Sequence, residues 1–198
     1  MFPGHNNVQS PKGQTPGSWR GYTCGFCNRE VSGAVVAAYP TDSSPAVAWL
    51  MCPTCNKGSV FNGGSGVAPG SVFGPVLQGL PVEAAAAYQE IRSCMSVNAH
   101  TAAELLCRKV LMYVAADKGA AEGLTFVAYL NHLESAGFIT PPMKPWVDLI
   151  RQHGNQATHS LAAPDQKRAE GTVMFTAELL RLVYEMSSFA KLYGAEGT

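Results

Sequence analysis

The chain has 198 residues, of which 46% are hydrophobic and 14% charged, with 14 basic and 14 acidic side chains. This length accommodates a small module and one domain of ordinary size, and the balanced charge lacks the basic excess that announces nucleic-acid binding. No run of eighteen apolar residues occurs, so no membrane-spanning helix is expected. The first residues are polar and rich in glycine and proline, unlike a secretory signal, which predicts a cytoplasmic protein.

Residues 1–18 are expected to form a flexible N-terminal arm. Two Cys-x-x-Cys pairs follow, Cys24 with Cys27 and Cys52 with Cys55, each among turn-forming residues. Such pairs predict two knuckles that close a tetrahedron of thiolates around one structural Zn²⁺. Two disulfides, or four cysteines buried as small apolar side chains, are the alternatives. A redox pair fits less well, because a thioredoxin-like motif has one such pair at the start of a helix.

The stretch between the pairs supports the metal site. Residues 29–39 and 46–51 are apolar and rich in β-branched and aromatic side chains, and a Pro-Thr-Asp-Ser-Ser-Pro turn separates them. The order of knuckle, strand, turn, strand and knuckle predicts a zinc ribbon, a β-hairpin with two knuckles, over residues 19–58. So small a unit has little core of its own, so the metal is expected to supply much of its folding free energy. Reduced thiolates also favour the cytosol.

Residues 59–80 are expected to form a linker rich in glycine and proline. Its valine, phenylalanine and leucine side chains are too apolar for a fully solvated tether. Part of it is therefore expected to lie against the helical domain.

The hydrophobic period becomes helical from Pro81 onward. A bundle of about five helices is predicted over residues 81–198, which makes the fold class α+β with an all-α C-terminal part. A capping box at Thr101 and Glu104 predicts the start of the second helix. The third is expected from about Thr125, with Gly137 as its stop, and the last from near residue 165 to about 193.

Cationic, imidazole and amide groups concentrate in residues 151–159. On a helix, Arg151, Asn155 and His159 follow at four-residue steps and share one face. An arginine can hold a phosphate and a histidine can move a proton, which is the minimum for metal-independent phosphodiester cleavage. The competing interpretation is structural, in which these side chains cap carbonyls or join neighbouring helices.

The strings YLNHLESAGFI from Tyr129 and DLIRQHGNQATH from Asp148 resemble the domain of unknown function 4145, over about residues 80–193. That family is similar to the HEPN superfamily of helical proteins of prokaryotic defence and toxin systems. The resemblance implies dimers and, in active members, RNA cleavage by an Arg and a His on one helix. It would assign the phosphate to Arg151, the proton transfer to His159 and an orienting role to Asn155. The wider Arg-to-His spacing and the intervening Gly154 depart from that pattern.

Two functions remain open on the sequence. The first is a zinc-anchored adaptor that binds a protein or nucleic-acid partner in a prokaryotic or phage defence, restriction or regulatory setting. The alternative is a HEPN-like, metal-independent endoribonuclease that uses Arg151 and His159. A homodimer is expected in both cases, because 14% charged residues leave little charged surface to keep monomers apart.

Overall fold

The computed structural model describes residues 18–39, 46–64, 66–159 and 163–194, with only the backbone described for residues 153–159. The arm predicted for residues 1–18 lies almost entirely outside the described residues. The chain divides into two compact units, Met1–Val72 and Phe73–Thr198. A β-sheet forms the first and helices form the second, which confirms the α+β fold class.

The first unit is an antiparallel meander in which each strand pairs with the next in the chain. Its strands are β1 (Trp19–Thr23), β2 (Glu30–Tyr39), β3 (Val47–Met51), β4 (Gly58–Asn62) and β5 (Gly66–Ala68). β2 and β3 are the predicted hairpin, and the other three strands were not predicted. β1 and β5 are short, and β4 and β5 lie in a glycine-rich stretch, so hydrophobic alternation is too brief there to reveal a strand.

The segment predicted as a linker, residues 59–80, differs from the expectation. Its first half completes the sheet as β4 and β5, and the first unit extends to Val72 rather than to residue 58. The physical reason is edge protection: β4 covers the free edge of β3, whose N–H and C=O groups would otherwise be unpaired.

Residues 73–80 do lie against the helices, as predicted. The buried guanidinium of Arg92 donates to the carbonyl oxygen of Phe73, and the buried carboxylate of Glu185 accepts from the Gln78 N–H at 2.7 Å. The apolar side chains of this stretch pack against the helical core.

The helical unit contains α1 (Val82–Ser96), α2 (His100–Asp117), α3 (Phe126–Ser135), α4 (Lys144–His159), α5 (Gln166–Leu180) and α6 (Met186–Leu192). A π-helical turn, Arg181–Glu185, joins α5 to α6, so these segments form one last helix and the bundle has the five helices expected. A 3₁₀ turn, Pro141–Met143, precedes α4, which continues through Gly154. Among the described residues, no helix combines the length and apolarity needed to cross a bilayer.

The ends of α3 match the prediction from the sequence, whereas the start of α2 does not. The Thr125 hydroxyl accepts from the Ala128 N–H and caps α3, and Gly137 follows that helix with a φ of 82°. The predicted capping box at the start of α2 is wrong, because α2 begins at His100 with Ala99 as its cap and no side-chain bond. Glu104 instead pairs with an arginine of α5.

Candidate functional site

The two cysteine knuckles repeat one backbone pattern. The Asn28 N–H donates to the Cys24 carbonyl at 2.8 Å, and the Asn56 N–H donates to the Cys52 carbonyl at 3.0 Å. Both asparagines take left-handed φ values, 54° and 55°. Asparagine tolerates this region better than other residues with a Cβ. The shared Cys-x-x-Cys-Asn string thus has a conformational cause, and it turns the sulfurs of each pair to the same side.

The four sulfurs meet at one point. Cys24 Sγ lies 3.7 Å from Cys55 Sγ, Cys27 Sγ lies 3.8 Å from Cys52 Sγ, and all four sulfurs lie within 4.8 Å of one another. These distances exclude disulfides, whose sulfurs are about 2 Å apart. A tetrahedron of thiolates about 2.3 Å from a zinc ion has edges of about 3.8 Å. The cluster therefore has the donors and spacing to bind a metal ion.

Hydrogen bonds to sulfur prepare the cluster for a cation. Burial by itself raises the pKa of Cys52, but N–H groups of Cys55 and Thr54 donate to its sulfur and lower that pKa to about 6. Burial and the neighbouring thiols raise the pKa of Cys55 to about 12. A thiolate is thus favoured at Cys52, and a metal ion that binds the cluster would displace the proton of Cys55.

The chain after β5 closes over the first knuckle. The Val72 N–H donates to the side-chain oxygen of Asn28 at 3.0 Å. Gly25 lies directly under the backbone of Pro69 and Gly70. Cys24 and Cys52 are fully buried, Cys27 and Cys55 are partly buried, and all four belong to this unit.

Gly25→Ala is expected to destabilise the first unit by about 1–3 kcal/mol, because overpacking costs this much where backbone cannot move aside. The added Cβ would lie 2.5 Å from the Pro69 carbonyl oxygen and would also overlap that of Gly70. Gly21→Ala is the matched control, since an added Cβ there meets nothing within 4 Å. Hydrogen exchange of the sheet amides measures the difference, and equal exchange in both variants would contradict the close packing.

The Arg151 guanidinium is engaged by three side chains. Its Nη1 donates to Asp148 at 2.8 Å, and its Nη2 donates to Asn131 at 2.7 Å and to Glu134 at 3.1 Å. Within the described residues, its Nε is buried without a hydrogen-bond partner. These contacts join α4 to α3. Two carboxylates beside the guanidinium also oppose the approach of a phosphate, which carries the same charge.

The Glu134 carboxylate lies beside a second cation as well as Arg151. Lys144 pairs with it at 2.8 Å, and the hydrogen bonds from Lys144 and then Arg151 lower the pKa of its carboxyl. Of the three residues predicted for this site, only Arg151 has a described side chain, so no contact among the three is described. The side chains of Asn155 and His159 lie outside what the structure describes.

A groove of about 500 Å³ runs beside α4 and α5 and is lined by Trp146, Leu149 and Met174 among others. Three of its charged residues have structural partners: the Asp165 carboxylate caps α5, Arg168 pairs with Glu104, and Glu170 accepts from Gln166.

The sequence did not single out an aromatic face on the sheet. Trp19, Tyr39, Trp49 and Met51 are 55%, 46%, 37% and 44% exposed, and they share the side of the sheet opposite the buried Leu50. We call these four residues the aromatic face. The signal that could have found it is the strict alternation in Ala48-Trp49-Leu50-Met51, which puts a tryptophan and a methionine on one side.

Comparison with known proteins gives one family. A search of curated proteins and a search of solved structures found no match to this chain. The family comparison matches the domain of unknown function DUF4145 over residues 89–193, which lie within the helical unit. Because that match spans more than half of the 198 residues, the protein belongs to the DUF4145 family.

Proposed function

We propose that this protein is a zinc-anchored interaction protein, in which the four-cysteine unit binds another protein through its aromatic face. The observation that carries the proposal is the exposure of two tryptophans, a tyrosine and a methionine on one side of the sheet. Aromatic residues and methionine are enriched in protein interfaces, and a contiguous exposed apolar patch marks an interaction site. A defence, restriction or regulatory setting is compatible with this role.

Zinc is the metal we assign to the cysteine cluster. Four cysteine sulfurs and no other ligand type form a soft, tetrahedral donor set, which suits zinc better than magnesium or calcium. A closed set of four protein ligands leaves no position for a substrate or water. The metal is therefore assigned a structural role, and it holds the strands that carry the aromatic face.

A protein fits this face better than a nucleic acid does. Arg20 lies on the opposite side of the sheet, with its guanidinium 3.7 Å from the centre of the Phe61 ring. Arg29 and Lys57 belong to the knuckles, so the aromatic face lacks a described basic side chain. Single-stranded nucleic acids require cationic groups beside the stacking rings, because the phosphate backbone supplies most of the affinity.

The contacts of Arg151 weigh against the endoribonuclease alternative. A HEPN-like role needs a guanidinium open to the scissile phosphate, whereas this one is held by Asp148, Asn131 and Glu134. We infer that Arg151 positions α4 on α3. If the protein were a nuclease, the purified chain would cut single-stranded RNA without metal and leave 2′,3′-cyclic ends, and His159→Ala would abolish cutting.

Photo-crosslinking in the native host tests the proposed face. A photoreactive amino acid in place of Trp49 is expected to give a discrete protein adduct, because this side chain would lie inside the interface. The same substitution at Val127, an exposed position on α3, is the control and is expected to give no such adduct. Trp19→Ala combined with the Trp49 crosslinker should reduce the yield at least several-fold, with the zinc content unchanged.

Three outcomes would overturn the proposal. Crosslinks at Trp49 to RNA would assign the face to nucleic acid, and equal adducts at both positions would show that the contact is unspecific. Metal-independent RNA cleavage that His159→Ala removes would restore the nuclease.

A further inference from the structure

β1 lies at one edge of the sheet and pairs with β2 alone. The Val35 N–H donates to the Ser18 carbonyl at 3.1 Å, and the Cys24 N–H donates to the Arg29 carbonyl at 2.9 Å. Both bonds join residues that continue the register of the two strands and lie directly opposite each other. The even-numbered residues from 18 to 24 therefore turn their backbone groups toward β2.

The odd-numbered residues between them turn the same groups outward. Backbone N–H and C=O groups alternate from one side of a strand to the other, so Trp19, Gly21 and Thr23 present theirs at the open edge. Among the described residues, none of these backbone groups has a hydrogen-bond partner. A row of unpaired donors and acceptors is a template for pairing with another extended chain.

This edge lacks the features that protect sheet edges from such pairing. Proteins block an edge with a very short strand, a proline, a bulge or charged side chains. β5, at the other edge, has three residues and is followed directly by Pro69, which has no N–H. β1 has five residues in unbroken register and no proline. Its one charged side chain, Arg20, contacts the Phe61 ring on the side of the sheet opposite the aromatic face, so it does not guard the edge.

The open edge continues into the aromatic face. Trp19 belongs to both, and Thr23 points to the same side of the sheet because side chains alternate along a strand. A strand added at this edge would place every second side chain on that side, next to Trp19, which is 55% exposed. Backbone pairing of this kind also identifies the occupant as a polypeptide, since a nucleic acid has no matching row of amide groups.

A cleft of about 470 Å³ lies at the far end of this edge, lined by residues 21–23 of β1 and 30–32 of β2. Thr23 is opposite Glu30 in the register, so the Glu30 side chain lies one strand in from the edge, on the side of the aromatic face. Glu30 is exposed and, within the described residues, has no ion-pair partner. A lysine or arginine of the added strand can reach this carboxylate across two strand spacings of about 4.8 Å each.

We propose that the protein partner binds by adding an extended segment to the open edge of β1. The segment has an apolar side chain beside Trp19 and a lysine or arginine near Glu30, at positions four residues apart. This inference rests on the proposed function, because it concerns the same partner and an edge that continues the same face. It adds the form in which the partner binds and the side chains that the sheet selects.

Crosslink mapping in the native host tests the extended form of the segment. A photoreactive amino acid replaces Trp19 in one chain and Thr23 in another, and these positions are about 13 Å apart along β1. Both adducts are expected on one partner protein at sites about four residues apart, since paired strands have the same rise per residue. Sites about nine residues apart would indicate a helix, which rises about 1.5 Å per residue, and would overturn the proposal. Adducts on residues 1–17 of this chain would also overturn it, because the chain itself would then occupy the edge.

Gly21→Pro tests the backbone pairing. It removes an N–H that points away from β2, and an edge strand tolerates proline at such a position. With the photoreactive amino acid at Trp49, the adduct yield is expected to fall about tenfold, because a hydrogen bond is lost and a carbonyl of the partner stays unpaired. Gly21→Ala is the matched control: it keeps the N–H, its Cβ meets nothing within 4 Å, and the yield should not change. Hydrogen exchange should show the Arg20 and Tyr22 amides protected in both variants, since they pair with β2.

The outcomes separate this inference from the proposed function. If the unmodified chain gives no adduct at Trp49, the proposed function is wrong and the added strand is wrong with it. If the adduct forms at Trp49 and Gly21→Pro leaves its yield unchanged, only the strand pairing is wrong. The mapping from Trp19 and Thr23 decides the same question without a proline in the strand.

Discussion

Cys52→Ser is expected to remove zinc from the chain and to unfold the sheet while the helices persist. Structural zinc contributes on the order of 10 kcal/mol to folding in small zinc modules. The buried apolar core of the sheet consists of Val35, Ala48 and Leu50, which is too little to replace that contribution. The helical unit has a separate and much larger core, so it should keep its own unfolding transition.

The measurements are zinc per chain by elemental analysis and hydrogen exchange of the amides of residues 19–68. We expect the zinc content to fall from one per chain to near zero, with protection lost across the sheet and kept in α1 to α5. Cys94→Ser is the matched control, because Cys94 lies on α1 outside the cluster. A Cys52→Ser chain that holds one zinc ion and a protected sheet would refute the structural role of the metal.

Glu104→Ala is expected to lower the stability of the helical unit by about 3 kcal/mol, as breaking a buried ion pair does. Arg168 donates through Nε and Nη2 to the two oxygens of Glu104, both at 2.8 Å, and so joins α5 to α2. Glu104 is only 8% exposed. Removal of its carboxylate leaves the guanidinium in a largely buried place without its anion.

A double variant separates the effect of losing the ion pair from the effect of leaving one charge buried without its partner. Glu104→Leu with Arg168→Met is expected to be less destabilised than Glu104→Ala, because no unpaired charge remains. Thermal unfolding of the full chain, followed by circular dichroism, provides the comparison. Glu122→Gln, at an exposed position, controls for the loss of a charge. If the double variant lost more stability than Glu104→Ala, the ion pair itself would be the favourable element.

Local patterns predicted the parts of the fold whose causes are local. The Cys-x-x-Cys spacing identified all four cysteines of the cluster, since a knuckle is a turn of a few residues. Thr125 and Gly137 marked the ends of α3, because caps act within one helical turn. The helical period of the C-terminal part likewise indicated five helices.

Local patterns failed where the partner lies far away in the chain. Thr101 and Glu104 have capping-box spacing, yet Glu104 pairs with Arg168, 64 residues away. The Glu104 carboxylate is held by this distant arginine, and the local spacing of Thr101 and Glu104 contains no information about it. β4 was missed for a similar reason, because its strand conformation depends on pairing with β3 rather than on its glycine-rich sequence.

The Arg151 motif likewise contains local information and lacks information about distant parts of the chain. Four-residue steps correctly indicate residues on one side of a helix, but they carry no information about the neighbouring helix. The structure adds Asn131 and Glu134 from α3, and these decide the environment of the guanidinium. Membership of the DUF4145 family identifies the helical domain and no chemical activity. The role of the guanidinium is therefore judged from its contacts.

By itself, the sequence determined the four cysteines of the cluster, the helical period and the α+β class, because each depends on residues within a few positions of one another. Only the tertiary structure decided which side chains stay exposed and which charges are already paired. Exposure of the aromatic face depends on what packs opposite it, and a linear pattern does not contain that information.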